Sequence, residues 1–327
     1  MRAFLDQSYC IPNPTFTLKD LPDQSDKVHI VTGGYGGVGL ELVQLLVQRN
    51  ATVYIAGRTQ SKYDAALPSL RAAFPASTSR IEFLPLDLAD LPSIPAAANR
   101  FLAAESRLDV LTNNAGVMVP PRGSVTAQDY ELQMGTNCLG PYLFTQCLLP
   151  LLQRTAATAP RHSVRVTWAA SIVIEQAPTG GIAWNAATGG PTVLGGLNGV
   201  RRNYAQSKAG NVMLATEFAR RYGKDGIVSV SWNPGNLASE LMRDVPSVAR
   251  WLARWVFLHP VRLGAFTELF AGWSPEIGEG RNGAHVIPWG RLGGYREDLV
   301  RATRDGTAER FVEWCERETS KYAKVKL

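Results

Sequence analysis

An apolar run, Val28 to Thr32, leads without a break into Thr32-Gly33-Gly34-Tyr35-Gly36-Gly37-Val38-Gly39, and an amphipathic helical pattern follows from Val38 to Arg49. No other stretch constrains the fold as tightly. Glycines at a strand-to-helix junction permit a tight turn and let the backbone approach a pyrophosphate, whose charge the amides and dipole of the helix start stabilise. Glycines also build plain structural turns. Their place between a strand and a helix is what makes this string a dinucleotide-binding expectation.

The same rhythm continues along the chain. Runs at Thr52 to Ala56, Ile81 to Leu86, Val110 to Asn113, Val164 to Trp168, Ile227 to Trp232 and Ala284 to Pro288 are apolar without strict alternation. Strands read this way when helices cover both faces of their sheet. Tyr204 to Tyr222 shows the i, i+3, i+4 apolar spacing of an amphipathic helix. With right-handed crossovers the expected fold is α/β: a Rossmann-type doubly wound sheet of seven parallel strands with helices on both faces. At ~150 residues per domain the length allows two domains. The rhythm instead assigns residues 26–290 to one domain, with an amino-terminal extension over 1–25 and a helical tail over 291–327. Two segments depart from it. Residues 179–200, dense in Gly, read as a mobile substrate loop anchored by Ile182 and Trp184, and the bulky apolar stretch 237–273 reads as a small helical lid.

Composition excludes several classes. With 45% hydrophobic and 19% charged residues the chain is globular, not disordered. The net charge of +6 is scattered, with no basic stripe, which argues against nucleic-acid binding. Cys10, Cys138, Cys147 and Cys315 show no CxxC or Cys/His spacing, and His259 and His285 lack metal-ligand spacing, so no metal site is expected. Cys138 has no His near it in sequence and reads as a buried structural thiol. No stretch approaches the ~20 apolar residues that span a bilayer. Arg2, Asp6, Pro12 and Pro14 stand where a signal peptide needs an apolar run, so a soluble, cytoplasmic protein is expected. Val248 to Val261 puts Trp251, Trp255 and Leu258 on one helical face beside Arg250 and Arg254. That pattern suits peripheral membrane contact; a helix covering an apolar pocket is the better-supported reading of so short a stretch.

The Thr-Gly-x-x-x-Gly-x-Gly spacing is joined by Asn113-Asn114-Ala115-Gly116 after the fourth strand and by Tyr204-Ala-Gln-Ser-Lys208 in a helix. In this order the three motifs resemble the short-chain dehydrogenase/reductase superfamily over roughly Ser25 to Gly290. The Val164-Arg-Val-Thr-Trp-Ala-Ala-Ser171 strand, the Asn233-Pro234-Gly235 turn and Val286-Ile-Pro-Trp-Gly290 resemble its longer, fungal-type and retinol-dehydrogenase-like members. The resemblance implies a cofactor-binding role for Thr32, Gly33, Gly37, Val38 and Gly39. It implies adenine contacts at Asp87 and Leu88, and places Asn114, Ala115 and Gly116 against the cofactor with Asn114 holding the central strands. Asp87 as a plain strand-end cap is the alternative. Pro234 and Gly235 would turn the chain beneath the nicotinamide, with Ser239 where the family often has threonine.

Catalytic roles follow from the same resemblance. Tyr204 is the general acid/base, Lys208 positions the ribose and tunes Tyr204, Ser171 hydrogen-bonds the substrate oxygen, and Asn137 bends its helix and holds a water leading to Lys208. Ala170 stands where a second serine is common, and the gap from Ser171 to Tyr204 is long, as an inserted substrate loop would make it. Tyr204 and Lys208 are four apart on a helix and share a face. A free phenol titrates near ~10, and a neighbouring ammonium plus a positive nicotinamide favour the phenolate. In reduction the neutral phenol simply donates its proton. At the end of the second strand Tyr54-Ile-Ala-Gly57-Arg58-Thr59 has no carboxylate to bond both ribose hydroxyls, while Arg58 can pair with a 2′-phosphate, so NADP(H) is the expected cofactor. Arg58 as an ordinary solvated arginine is the alternative.

The expected activity is NADPH-dependent reduction of an apolar ketone or aldehyde, such as a secondary metabolite, reversible as alcohol oxidation. Trp184, Leu241, Met242, Trp251 and Trp255 are the candidate pocket lining; the same side chains would equally serve the protein's own core. A non-redox isomerase, dehydratase or cyclase using the same Tyr and Lys is a second reading, and a cofactor-binding scaffold or sensor with a protein or membrane partner a third. The resemblance implies a homodimer or homotetramer built through two helices, one of whose faces the tail from Tyr295 could cover.

Overall fold

The structure is a computed structural model that describes residues 2–9, 11–237 and 258–323. Eight strands form one sheet in the order β3-β2-β1-β4-β5-β6-β7-β8. They are β1 (Val28–Thr32), β2 (Thr52–Gly57), β3 (Arg80–Pro85), β4 (Val110–Asn113), β5 (Val164–Ala169), β6 (Ile227–Trp232), β7 (His285–Ile287) and β8 (Arg291–Gly293). The first seven run parallel, as expected from their buried, non-alternating sequences. β8 is an addition. It pairs antiparallel with β7 after a tight return at Pro288–Gly290, and three half-buried residues are too few to give a sequence signal.

Strand order reverses between β1 and β4, which opens a crevice at the carboxyl ends of both strands, where α/β folds bind ligands. One face of the sheet is covered by α2 (Gly37–Val47) and α8 (Val261–Trp273), which bury Leu42, Leu46, Leu269 and Phe270 against Val31, Val230 and Trp232. The other is covered by α4 (Ile94–Ala104), α6 (Gly140–Thr158) and α7 (Gly199–Tyr222), which bury Phe101, Leu148, Leu214 and Phe218 around Ile30, Val166 and Trp168. Each fully buried Leu or Phe side chain contributes about 1.5–3 kcal/mol. The edge helix α3 (Gln60–Ala73) buries only Tyr63, Ala66 and Leu70.

Three further segments frame the sheet. Of the lid expected over 237–273, residues 238–257 lie outside the described residues, and the end of the stretch is α8, a helix lying on the sheet. The Gly-rich segment is a loop, but one with fixed ends and middle. Trp184 bridges Pro191, Ala183 N–H donates to Gln206 Oε1 at 2.8 Å, and Gln206 Nε2 donates to Thr192 O at 3.1 Å. The tail supplies α9 (Glu297–Ala302) and α10 (Thr307–Thr319), whose Phe311, Val312 and Cys315 are wholly buried in the same core as α7. Among the described residues no helix is long and apolar enough to cross a membrane, and no group of three or more His, Cys, Asp or Glu side chains is arranged to hold a metal.

Candidate active site

α2 begins at the glycine turn with no side-chain cap: Gly36 is extended and nothing but backbone precedes the first amides of the helix. Those N–H groups have no intrahelical partner and carry the positive end of the helix dipole. Gly37 takes φ +54° with open space where a side chain would be. A side chain on Gly39 would fall 2.5 Å from Asn114 Nδ2, and that amide donates to Thr32 O at 2.8 Å. Ala115 N–H donates to Thr32 Oγ1 at 2.9 Å, so Thr32, Asn114 and Ala115 fasten the end of β1 to the segment after β4. The result is a cleft of about 890 Å³ bordered by Gly33, Gly37, Val38, Asp87, Leu88 and Gly116. Asp87 Oδ1 also accepts from Ala89 N–H at 2.9 Å, so it caps the strand end while facing the cleft. The bare helix start, the glycine cradle and the size of the cleft fit a dinucleotide.

At the far end of the cleft Gly57 lies under the Tyr35 ring, where an added Cβ would meet the ring at 2.4 Å. Arg58 and Lys62 both border the cleft here. Among the described residues Arg58 makes no ion pair, and Lys62 has only the Tyr35 ring, 5.9 Å from its Nζ. Lys62 and Tyr35 were not singled out in the sequence; Lys62 shares the first turn of α3 and follows Arg58 by four residues, which is the signal that would have found it.

The cleft floor reaches the Tyr-Lys pair through Gly116. A side chain there would lie 2.9 Å from Asn137 Oδ1 and 3.6 Å from Lys208 Nζ. Asn137 sits in a π-helical turn, Gly135–Leu139, inserted between α5 (Leu132–Met134) and α6. That wider turn leaves its side chain free to accept from Val117 N–H at 2.8 Å and to donate to Val117 O and Ser207 Oγ, both at 3.0 Å. Ser207 Oγ in turn donates to Tyr204 O at 2.8 Å, so Asn137 is tied to the helix that carries the tyrosine. Lys208 Nζ lies 5.6 Å from the centroid of the Tyr204 ring and donates to Ala169 O at 2.8 Å. Asn211 Nδ2 shares that carbonyl at 2.7 Å. Ser207 and Asn211 were missed; Asn211 continues the face of Tyr204 and Lys208 by three residues, which is the signal that would have found it, while Ser207 lies off that face.

Burial dominates the electrostatics. It pushes the Tyr204 phenol well above the ordinary tyrosine range and the Lys208 ammonium down to about 8. Tyr204 is therefore a neutral proton donor here, with desolvation setting the direction. Lys208 stays cationic at neutral pH. Ser171 lies two residues beyond β5, and its Oγ accepts from Val173 N–H at 3.4 Å to cap the 3-10 turn Ile172–Gln176. Its hydroxyl proton remains available. Ala170 and Ile174 beside it pack on Ala205 and Ala209, next to Tyr204 and Lys208.

The turn after β6 borders the glycine turn through α8: a side chain on Gly264 would approach Pro234 O to 3.1 Å and Val38 Cγ1 to 3.3 Å. Gly235 has φ +85° and no room for a Cβ, which would strike Trp289 at 2.6 Å. Ser239, Leu241, Met242, Trp251 and Trp255 lie outside the described residues, as does most of Val248 to Val261. The remaining candidate for the pocket, Trp184, has its ring under the Arg310 guanidinium at 3.9 Å and against the core that holds α10. Its described surroundings are those of a packing residue.

Comparison with known proteins agrees with this architecture. A family profile described as short chain dehydrogenase matches residues 27–188. The short-chain dehydrogenase/reductase iacJ of Pestalotiopsis fici is 44% identical over 322 residues, covering 97% of each chain. Among solved structures, a protein of Mycobacterium paratuberculosis is similar with a TM-score of 0.65 at 25% identity, over 93% of this chain and 97% of its own. An NADPH-bound carbonyl reductase from chicken fatty liver is similar with a TM-score of 0.57 at 22% identity, over 83% of this chain and all of its own.

Proposed function

Since the chain belongs to the short-chain dehydrogenase/reductase family of NAD(P)-dependent oxidoreductases, we propose that it is an NADPH-dependent carbonyl reductase acting on an apolar ketone or aldehyde. One observation carries the cofactor choice: the end of β2 offers Gly57 and an Arg58 that makes no ion pair among the described residues, with Lys62 beside it, where a carboxylate would be needed to hold an unphosphorylated ribose. A guanidinium suits a phosphate bidentately, and an ammonium adds charge. The amides of Gly37, Val38 and Gly39 would receive the pyrophosphate, with Asp87 and Leu88 beside the adenine.

A bound NADPH would supply the hydride for the carbonyl carbon. The protein supplies the rest. Tyr204, neutral because it is buried, donates its proton to the oxygen as negative charge develops there. Ser171 donates a second hydrogen bond to the same oxygen. Lys208, cationic at neutral pH, would hold the ribose and return a proton to Tyr204, with Asn137, whose side chain lies beside Gly116, holding the water that leads to Lys208 and refills it from solvent. Burial of Tyr204, Lys208 and Asn137 raises the strength of each interaction by lowering the local dielectric.

The test is a pair of variants followed by NADPH fluorescence and absorbance on a panel of apolar carbonyls. Arg58→Ala should weaken NADPH by at least ~10-fold, the worth of one charge-assisted contact, and leave NADH unchanged. Tyr204→Phe should bind NADPH normally and lose ~100-fold or more in turnover. Equal binding of both cofactors by wild type, or full turnover by Tyr204→Phe, would overturn the proposal. Product formation without NADPH oxidation would point to non-redox use of the same residues.

A further inference from the structure

The amino-terminal extension reaches the turn after β6 with two buried polar side chains. Gln7 and Ser8 end the short helix α1 (Arg2–Ser8) and are 4% and 1% exposed. Gln7 Oε1 accepts from Asn233 Nδ2 at 2.7 Å. Asn233 is itself wholly buried, and its Oδ1 accepts from Gly235 N–H at 3.0 Å. Gln7 thereby fixes which end of the Asn233 amide faces Gly235, and the resulting Asx turn holds Gly235 at φ +85° against Trp289. Ser8 holds the next link. Its Oγ accepts from Asn236 Nδ2 at 3.0 Å, and its carbonyl lies 3.2 Å from the His259 ring nitrogen. His259 N–H donates to Asn236 O at 2.8 Å, so Ser8 bonds both members of that pair. Arg291 of β8 fastens the same helix from the other side, donating to Asp6 O at 3.0 Å and to Pro288 O at 2.7 Å.

The rest of the extension behaves differently. Phe16 and Leu21 pack as ordinary apolar side chains in the core around α2. The side-chain hydrogen bonds of Gln7 and Ser8 go to residues 233–236 instead, the turn that borders the glycine cradle through Gly264 and Val38. A buried amide left without its acceptor costs as much as the group's desolvation, so Asn233 would reorient and release Gly235 if Gln7 were lost.

We propose that Gln7 and Ser8 are positioning residues for the nicotinamide half of the cofactor, acting through the Asn233–Asn236 turn. The proposal rests on the NADP(H) reading above. It separates the two halves of the cofactor, because Arg58 and Asp87, the groups assigned to the 2′-phosphate and the adenine, lie in a cleft lining that does not include this turn.

The experiment measures binding of NADPH and of its adenine half, 2′,5′-ADP, to Gln7→Leu, Ser8→Ala and Gln7→Glu, with thermal melting as a control. Gln7→Leu and Ser8→Ala should each weaken NADPH by ~5–10-fold, the effect of one buried hydrogen bond, while 2′,5′-ADP binds as to wild type. Gln7→Glu keeps an acceptor at the same atom and should restore NADPH affinity. Should Gln7→Leu not fold, Ser8→Ala must show the split alone. Equal weakening of NADPH and 2′,5′-ADP, or unchanged NADPH in the folded variants, overturns the inference. Failure of wild type to bind 2′,5′-ADP overturns the cofactor reading itself, a different result from either.

Discussion

Glu268 gives the fold a pH dependence that can be isolated. It lies on α8 with no exposed surface, and neither carboxylate oxygen has a hydrogen-bond partner among the described residues. Gly264, one turn earlier, faces Pro234 and Val38, and Gly272, one turn later, faces Val110, so Glu268 points into the layer between helix and sheet. Arg165 is on that sheet face too, but its guanidinium is used on Ala271 O at 3.3 Å and Ser274 O at 2.9 Å. With burial and no cation, the Glu268 carboxyl is pushed well above its ordinary 4.5 and stays protonated in the folded state. The unfolded chain ionises it above pH 4.5. Folded protein then holds one more proton than unfolded, and stability falls as pH rises, by up to ~1.4 kcal/mol per unit until the folded pKa is reached. His29 and His285 act in the opposite sense: burial pushes both down to about 4, so stability rises with pH chiefly from there to 6.5. Lys208, down to about 8, is charged in both states below that value. Between pH 6.5 and 8 the tails of the histidine and Lys208 titrations raise stability slightly in both proteins, and the difference between wild type and a non-ionising variant isolates Glu268, at most ~2 kcal/mol across the window. Glu268→Gln cannot ionise. Urea unfolding at pH 6.5, 7.25 and 8 should show wild-type stability falling relative to the variant's. Parallel lines for the two proteins would refute the assignment of a neutral buried carboxyl.

Two further outcomes follow from close packing and from the tail. Gly39→Ala should cost about 1–3 kcal/mol in urea unfolding and abolish NADPH binding, because its Cβ would fall 2.5 Å from Asn114 Nδ2 and push apart the Asn114–Thr32 link. Arg296→Ala should speed thermolysin cleavage within residues 179–198, where Val193 and Leu197 are exposed, with little change in melting temperature. Arg296 donates to the carbonyls of Glu175, Ala177 and Pro178 and pairs with Asp298, which accepts from Gly180 N–H at 2.8 Å.

Legibility in the sequence tracked the distance over which the information is written. The glycine turn, the seven parallel strands and the Tyr204–Lys208 pair are local patterns: a period, a spacing of four, a strand abutting a helix. Asn137 was legible through its neighbours in the motif, which implied a bent helix, but poor helix formers such as Gly135, Thr136 and Asn137 do not by themselves say that the bend is a π-turn. The partners of Arg296 and Asp298 lie about 120 residues away, and those of Gln7 and Ser8 more than 200, with no periodicity to announce them. Trp184 shows the same limit from the other side. An aromatic in a Gly-rich loop suggested a substrate wall, and only the approach of Arg310, 126 residues on, shows what the ring packs under.

That division has a physical origin. Groups that meet a dinucleotide must sit at fixed offsets from a strand end or helix start, because those backbone termini provide the field and the curvature, so the chemistry is encoded where the fold is. Groups that hold a turn need only a satisfied donor and acceptor, and any element that arrives with one will do. Here Gln7 arrives from the first helix and closes on the 233–236 turn, while Arg291 arrives from the last strand and ties that helix to Pro288. The rigidity of this corner is a property of residues that no motif contains. Substitutions at Gln7, Ser8 or Arg291 should consequently act on cofactor geometry more than on the stability of the sheet, whose strands are buried without them.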